Sequence, residues 1–249
     1  MADKIGSHPR IALIGLGKMG REVERLAAER GFTVGWKMNS ATPAMTADAV
    51  NSFDVAIHFA STASVLGHVG ECARYGKNMV IGTTGWSADI GKVRSMAEAG
   101  GIGVIHSSNF SVGMHLFSQL VDRSASIANR FSEYDAYVHE IHHKDKADSP
   151  SGTALSLASI LLKRLKRKKE LLTTTPAGKI RPEQLHVTST RSGAVVGIHR
   201  VVYDSSADSI ELVHTAKNRS GFAWGVLLAA DWIQGRKGMH TFEEVFTDE

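Results

Sequence analysis

Cysteine is nearly absent from this 249-residue chain. Its single thiol, Cys72, excludes an internal disulfide framework and fits a reducing compartment. No stretch reaches the roughly 20 apolar residues that a membrane-spanning helix needs. Met1–Arg10 is polar and lacks the apolar core of a secretory signal. The expectation is a cytoplasmic protein with no membrane partner. Aromatic residues make up only 7% and are not interleaved with the basic ones, so the net charge of +4 does not point to nucleic acid. The densest basic run, Lys163–Lys169 (KRLKRKK), follows the apolar Leu155–Leu162 and reads as the solvated last turns of a helix. With 43% hydrophobic and 22% charged residues, the chain can bury a substantial core.

The first part of the chain alternates between short apolar runs and helical spacing. Arg10–Leu16, Phe32–Trp36, Asp54–Ala60, Asn78–Ile81 and Ile102–His106 read as buried strands, with helices over Arg21–Arg30, Ala63–Tyr75 and Asp89–Ala99. That alternation predicts a Rossmann-type α/β fold with a doubly wound parallel sheet. After about Ser111 the pattern changes. Tyr134–His142, Leu185–Arg191, Val195–Tyr203 and Ser209–His214 read as strands, with one main helix over Ser151–Arg167, which predicts a second α+β domain carrying a mixed sheet. Lys168–Pro182 is expected to be a long mobile loop, and Phe222–Gln234 an apolar helix returning to the first domain.

Gly15-Leu16-Gly17-Lys18-Met19-Gly20 has the spacing of a dinucleotide fingerprint, and it lies between an apolar strand and a helix. Such glycines permit a tight turn and close approach of the backbone to a pyrophosphate seated on the helix N-terminus. The second strand would end in an acid if it held the ribose of NAD, but here it ends Lys37-Met38-Asn39-Ser40. Lys37 and Lys18 favour a 2′-phosphate, so NADPH is the expected cofactor, with NADH possible.

Glu140–Thr153 (EIHHKDKADSPSGT) is the most informative segment. It sets His142, His143 and Lys146 just before a helix expected to open near Ser151. Free N–H groups at a helix start attract an anion, Ser151 or Thr153 adds a hydroxyl, and Gly152 allows close approach. Histidine and lysine bring positive charge or transferable protons. Asp148 or Ser151 is also a candidate N-cap, and Pro150 a helix-initiating proline. The set suits a small carboxylate with a proton donor beside it. No metal is expected: a strand here places His142 opposite His139 and His143, and no cysteine or carboxylate pair completes a site.

This segment resembles the signature of the 4-hydroxy-tetrahydrodipicolinate reductases, also called dihydrodipicolinate reductases. The resemblance extends through GLGKMG, Gly82-Thr83-Thr84-Gly85, Ser108-Asn109-Phe110-Ser111-Val112-Gly113, Thr190-Arg191-Ser192-Gly193, Val196-Gly197-Ile198-His199 and Glu211–Ala216. It implies NAD(P)H-dependent reduction of dihydrodipicolinate to tetrahydrodipicolinate in the diaminopimelate route to lysine. His142 would be the acid/base residue and Lys146 a second proton donor, while His143, Gly152 and Thr153 would hold the substrate carboxylates. Gly15, Leu16, Gly17, Lys18 and Met19, Gly82, Thr83 and Thr84, and Ser107, Ser108, Asn109 and Phe110 would line the cofactor. The resemblance also implies a homotetramer whose C-terminal domains pair through their sheets. Residues 1–110 with 219–249 would bind the dinucleotide, and residues 111–218 would bind substrate and carry the oligomer contacts. Three departures fall in the cofactor half. The glycine loop is one residue shorter than the family's longer form, a strand that often reads IDFT reads Ile57-His58-Phe59-Ala60, and the second-strand acid is missing.

Overall fold

A computed structural model describes residues 8–39, 41–42 and 45–247. Its elements begin with β1 (Ile11–Ile14), α1 (Lys18–Glu29), β2 (Val34–Met38), α2 (Ala47–Asn51), β3 (Val55–His58), α3 (Val65–Arg74), β4 (Asn78–Ile81), α4 (Ile90–Gly100) and β5 (Gly103–His106). There follow α5 (Val112–Ala128), β6 (Asp135–His142), α6 (Gly152–Arg164), β7 (Glu170–Leu172), β8 (Gln184–Arg191), β9 (Gly197–Asp204), β10 (Ser209–Ala216), α7 (Ser220–Trp232) and β11 (Gly238–Thr241). The chain divides into two compact units, Met1–Val112 with Arg219–Glu249, and Gly113–Asn218.

In the first unit the six strands are all parallel, in the order β11-β5-β4-β3-β1-β2. Successive residues of a strand point to opposite faces. Ile11, Leu13, Val55 and Ile57 accordingly pack with Val23 and Leu26 of α1 and Val226 and Ala230 of α7, while Ala12, Ile14, Ala56 and Ile81 pack with Val69 and Cys72 of α3 and Val93 and Ala97 of α4. Both faces are covered, which is why these strands read as unbroken apolar runs. Chain order turns back at β1, with β2 on one side and β3 on the other. In such sheets the crevice at the carboxyl ends of those strands is the usual ligand site.

The second unit carries a mixed five-stranded sheet, in the order β10-β9-β6-β8-β7. β6 runs parallel to β8 and antiparallel to β9. The expected Rossmann-type sheet and the expected mixed sheet are thus both present. The expected single main helix is corrected to two. Met114, Phe117, Val121 and Ala125 of α5 and Ala154, Leu157 and Leu161 of α6 share one core with Ala136, Val138, Val187 and Val201. α5 escaped the sequence reading because Leu116, Leu120 and Ile127 on its outer side are also apolar and exposed, which blurs the helical stripe.

Two further expectations are corrected. Lys163–Lys169 is a solvated helical end only at Lys163 and Arg164. α6 stops at Arg164, Leu165 is fully buried, and Lys168 is 2% exposed. The Lys168 Nζ donates to the carbonyls of Pro182 (3.0 Å) and Gln184 (2.7 Å) and pairs with Asp135. Those partners are distant in sequence. For the same reason Lys168–Pro182 is not purely loop: it contributes β7, which pairs with β8.

Candidate functional site

In the first unit β1 passes into Gly15 at φ +97°, a conformation that side chains rarely adopt. A Cβ there would overlap the Phe59 carbonyl group, and one on Gly20 would meet the Gly15 carbonyl, so these glycines bring strand and helix together. Gly17 has open space where its Cβ would stand, and α1 begins directly after it with no side-chain cap and no acid in its first turn. The helix-start N–H groups, flanked by Lys18 and Met19, therefore suit a pyrophosphate. Beside them lies a cavity of about 490 Å³ lined by Gly15, Leu16, Arg21, Glu24, Asn39 and Ala41. Lys37, the expected 2′-phosphate partner, is ion-paired with Glu24, and Arg21 is the cation lining the cavity. Ser40 lies outside the described residues.

The other expected cofactor segments follow β4 and β5. The Thr83 Oγ1 is 2.7 Å from the His58 Nδ1, the Trp86 indole donates to the Thr83 carbonyl (2.7 Å), and the Thr62 hydroxyl donates to the Thr84 carbonyl (2.8 Å). Gly82 leaves room for the Phe59 ring. His58, the residue that departs from the family's acid, is fully buried, with its Nε2 3.0 Å from the His68 Nδ1 and 3.3 Å from the Ser64 hydroxyl. Burial and then the charge of His68 lower His58 to about 4. After β5, Ser107 and Asn109 bond to one another on either side of Ser108, through the Ser107 hydroxyl. The Phe110 ring is buried against Phe242, with centroids 4.8 Å apart, which leaves only its backbone to meet a cofactor.

The second unit collects the residues expected to handle the proton. The burial of β6 alternates, and Ala136, Val138, Glu140 and His142 share the covered side. His139 points the other way, with its Nδ1 2.7 Å from the Thr188 hydroxyl. Sheet register then assembles a row, because Glu140 lies opposite His199 and His199 opposite His214, while His142 lies opposite Arg191. His142 hydrogen-bonds through Nδ1 to the Glu140 carboxylate. The same carboxylate accepts from the Arg191 guanidinium (2.7 Å) and the Ser151 N–H (3.1 Å). The rings of His142 and His199 meet edge to face at 5.1 Å.

Chain order places the remaining expected residues around α6. Ser151 is the N-cap; its hydroxyl accepts from the Ala154 N–H (3.2 Å) and is buried. Pro150 stands before that cap rather than initiating the helix. Gly152 opens the helix, followed by Thr153. Lys146 pairs with Asp148 (2.7 Å), and Asp148 also accepts from the Gly152 N–H (3.3 Å), which ties the lysine to the helix start. His143 follows the strand end directly.

Burial opposes ionisation of Glu140, but Arg191, His142 and the Ser151 N–H together bring it down to about 2, so the carboxylate is charged. Burial lowers His142, and Glu140 works against that shift. His199 falls to about 4 through burial and the neighbouring His142. Ligand atoms of Glu140, His142 and His199 lie within 4.8 Å of one another, a spacing that a metal ion could span. The Arg191 guanidinium already shares the Glu140 carboxylate and balances its charge. The sequence reading missed Glu140, Arg191, His199, His214 and Arg21 as site residues. Glu140 carried a usable signal, since residues two apart on a strand share a face.

The family models for the N-terminus and C-terminus of dihydrodipicolinate reductase match residues 9–110 and 113–246. A 4-hydroxy-tetrahydrodipicolinate reductase of Christiangramia forsetii is 33% identical over 240 residues, covering 96% of this chain and 98% of its own. The enzyme of that name from Neisseria meningitidis is 30% identical, covering 98% and 91%. Among solved structures, a dipicolinate-bound dihydrodipicolinate reductase from Paenisporosarcina sp. TG-14 shares the fold, with a TM-score of 0.74 at 20% identity over 95% of this chain and 99% of that one. No helix among the described residues is long and apolar enough to cross a membrane. The chain belongs to the 4-hydroxy-tetrahydrodipicolinate reductase family, oxidoreductases of the diaminopimelate route to lysine.

Proposed function

We propose that the two units divide the family's reduction between them. The first binds the nicotinamide dinucleotide through Gly15–Met19, Gly82–Thr84 and Ser107–Phe110, and the second binds the dicarboxylate and handles its proton. The observation that carries this reading is His142, held against an ionised carboxylate that also accepts from the N-cap of α6. When bound, the dinucleotide supplies a hydride to the conjugated imine. His143, Lys146, Gly152 and Thr153 hold the substrate carboxylates, with Lys146 and the Gly152 N–H exchanging Asp148 for substrate, and Ser151 shapes the helix start that presents them. His142 gives a proton to the ring carbon as negative charge develops, with Lys146 as the second donor. Positive groups aimed at developing charge are commonly the largest catalytic contribution.

NADPH is the favoured cofactor. The end of β2 carries no acid, and Arg21 offers a guanidinium to a 2′-phosphate, with Lys37 nearby. The uncovered sheet face, with Tyr137 and Val213 exposed, supports a homotetramer paired through these sheets, and light scattering would read its mass. The functional test follows NADPH and NADH oxidation in parallel on freshly generated dihydrodipicolinate, with wild type and His142→Gln. The variant is expected to lose roughly 10²–10⁴-fold in turnover, the usual worth of positioned acid catalysis, with dinucleotide affinity unchanged. Unchanged turnover would remove His142 from the reaction, and a faster rate with NADH would overturn the cofactor preference.

A further inference from the structure

We infer that Glu140 is a positioning residue for the reduction: it holds the proton on Nδ1 of His142, so that Nε2 is the ring atom that exchanges a proton with substrate. The inference rests on His142 being the acid and adds how that acid is aimed.

The geometry begins with the period of β6, which puts residues 140 and 142 on one covered face. Glu140 is fully buried, and each of its oxygens is committed. Oε1 accepts from Arg191 (2.7 Å) and from the Ser151 N–H (3.1 Å), leaving Oε2 for the His142 Nδ1. The carboxylate cannot swing away, because both holders are themselves fixed. Arg191 also donates to the Asp148 carbonyl (2.5 Å), and Ser151 caps α6.

The other edge of the ring is left clear by a missing side chain. A Cβ on Gly197 would stand 3.0 Å from the His142 Nε2. The charged and titratable groups facing His142 are Glu140 on its own strand, Lys146 in the following turn, Arg191 on β8 and His199 on β9, with His214 on β10 beyond His199. Of these, Glu140 alone stabilises an imidazolium. A carboxylate on one ring nitrogen fixes both the tautomer and the orientation of the other.

In the reaction, hydride addition leaves an anion on the substrate. The Nε2–H bond of the imidazolium breaks, a C–H bond forms on the substrate ring, and the electron pair remains on Nε2. Neutral His142 keeps its Nδ1 proton on Glu140, and water returns a proton to Nε2 before the next turnover.

Long-range proton–nitrogen NMR on histidine-labelled wild-type protein reads the tautomer directly, and neutral His142 is expected to carry its proton on Nδ1. Glu140→Gln should lower kcat about 10²-fold, the low end of positioned acid catalysis, while KM for the dicarboxylate stays within about threefold. The alkaline limb of its kcat–pH profile should move to lower pH, since the imidazolium has lost its counter-charge. Glu140→Asp should restore part of both. A purely structural glutamate would not shift that limb. If Glu140→Gln keeps wild-type kcat and limb while His142→Gln is inactive, the role of Glu140 is overturned. If His142→Gln stays active, the reading beneath it fails instead. Should Glu140→Gln not fold, the wild-type tautomer decides, and an Nε2-protonated ring overturns the inference.

Discussion

Each unit buries a histidine cluster, and the two are built on different principles. In the first unit His58 is surrounded by neutral partners, with Thr83 on one nitrogen and His68 and Ser64 on the other. In the second unit His142 has an ionised carboxylate on one nitrogen, and that carboxylate is balanced by a guanidinium. A neutral cage makes the histidine a hydrogen-bonding strut, pushed down to about 4 by burial and by repulsion from His68 when that ring takes up a proton, and it braces the turn that carries Thr83. In the charged cage burial still lowers His142, but the carboxylate offsets part of that shift and favours the protonated ring. Burial alone therefore does not separate the two histidines; the counter-charge does, and it stands on the proposed acid.

The most severe way to break this contrast is to unbalance the charged cage. Arg191→Gln leaves Glu140 buried without its cation, and removing one partner of a buried pair costs about 3–5 kcal/mol. His68→Ala removes a neutral hydrogen bond from His58 and should cost about 1 kcal/mol. Urea unfolding followed by far-ultraviolet circular dichroism compares them. Equal losses would mean that the charge on Glu140 is not what distinguishes the clusters.

Much of the fold was legible because its signals are local. The runs at Ile11–Ile14 and Val55–His58 are buried at every position and apolar at all but His58 since both sheet faces are covered, and Gly15 marks the turn by a backbone angle that only glycine adopts easily. The His142–Thr153 segment was legible for the same reason: strand end, turn and helix start are contiguous. What escaped depends on register between distant strands. His199 and His214 reach the site through antiparallel pairing with β6 and with one another, and Arg191 through parallel pairing 49 residues further along the chain. No periodicity within a short window encodes those alignments. β11 escaped too, being four half-buried residues at the sheet edge with no apolar run to mark them.

Acid titration sharpens the contrast next. His58 holds its proton less tightly folded, at about 4, than unfolded, near 6.5, so the unfolded chain takes up the proton first. The stability it contributes is complete above about pH 6.5 and is lost as pH falls toward 4, to a total of about 3 kcal/mol. All four tryptophans lie in the first unit, so the urea midpoint read by tryptophan emission reports on it. The midpoint should fall between pH 6.5 and 4.5, and His58→Asn should flatten that fall. Glu140 follows the same sign in a lower window, its stabilisation being complete above about pH 4.5 and lost as pH falls toward 2. A wild-type midpoint that stays level down to pH 4.5 would show that the neutral cage tolerates a charged His58, and the comparison would lose its first term.

The smallest perturbation is also the most selective. Gly197 has ordinary backbone angles, so alanine fits the strand, but its methyl would press on the His142 Nε2 at 3.0 Å and Cδ2 at 3.3 Å. The ring must shift by a few tenths of an ångström, and that shift tilts Nδ1 away from a carboxylate that cannot follow. The expected result for Gly197→Ala is about a tenfold fall in kcat, equivalent to about 1.4 kcal/mol of barrier. Its unfolding free energy should change by less than about 1 kcal/mol. Gly113→Ala is the matched control, because its methyl would crowd the Nε2 of His214 at 3.1 Å, two histidines along the row and without a carboxylate partner. If the carboxylate is what makes one histidine reactive, crowding His142 slows turnover and equal crowding of His214 does not. Equal slowing by both would make the three rings a single working array, and the counter-charge at Glu140 would then no longer single out His142.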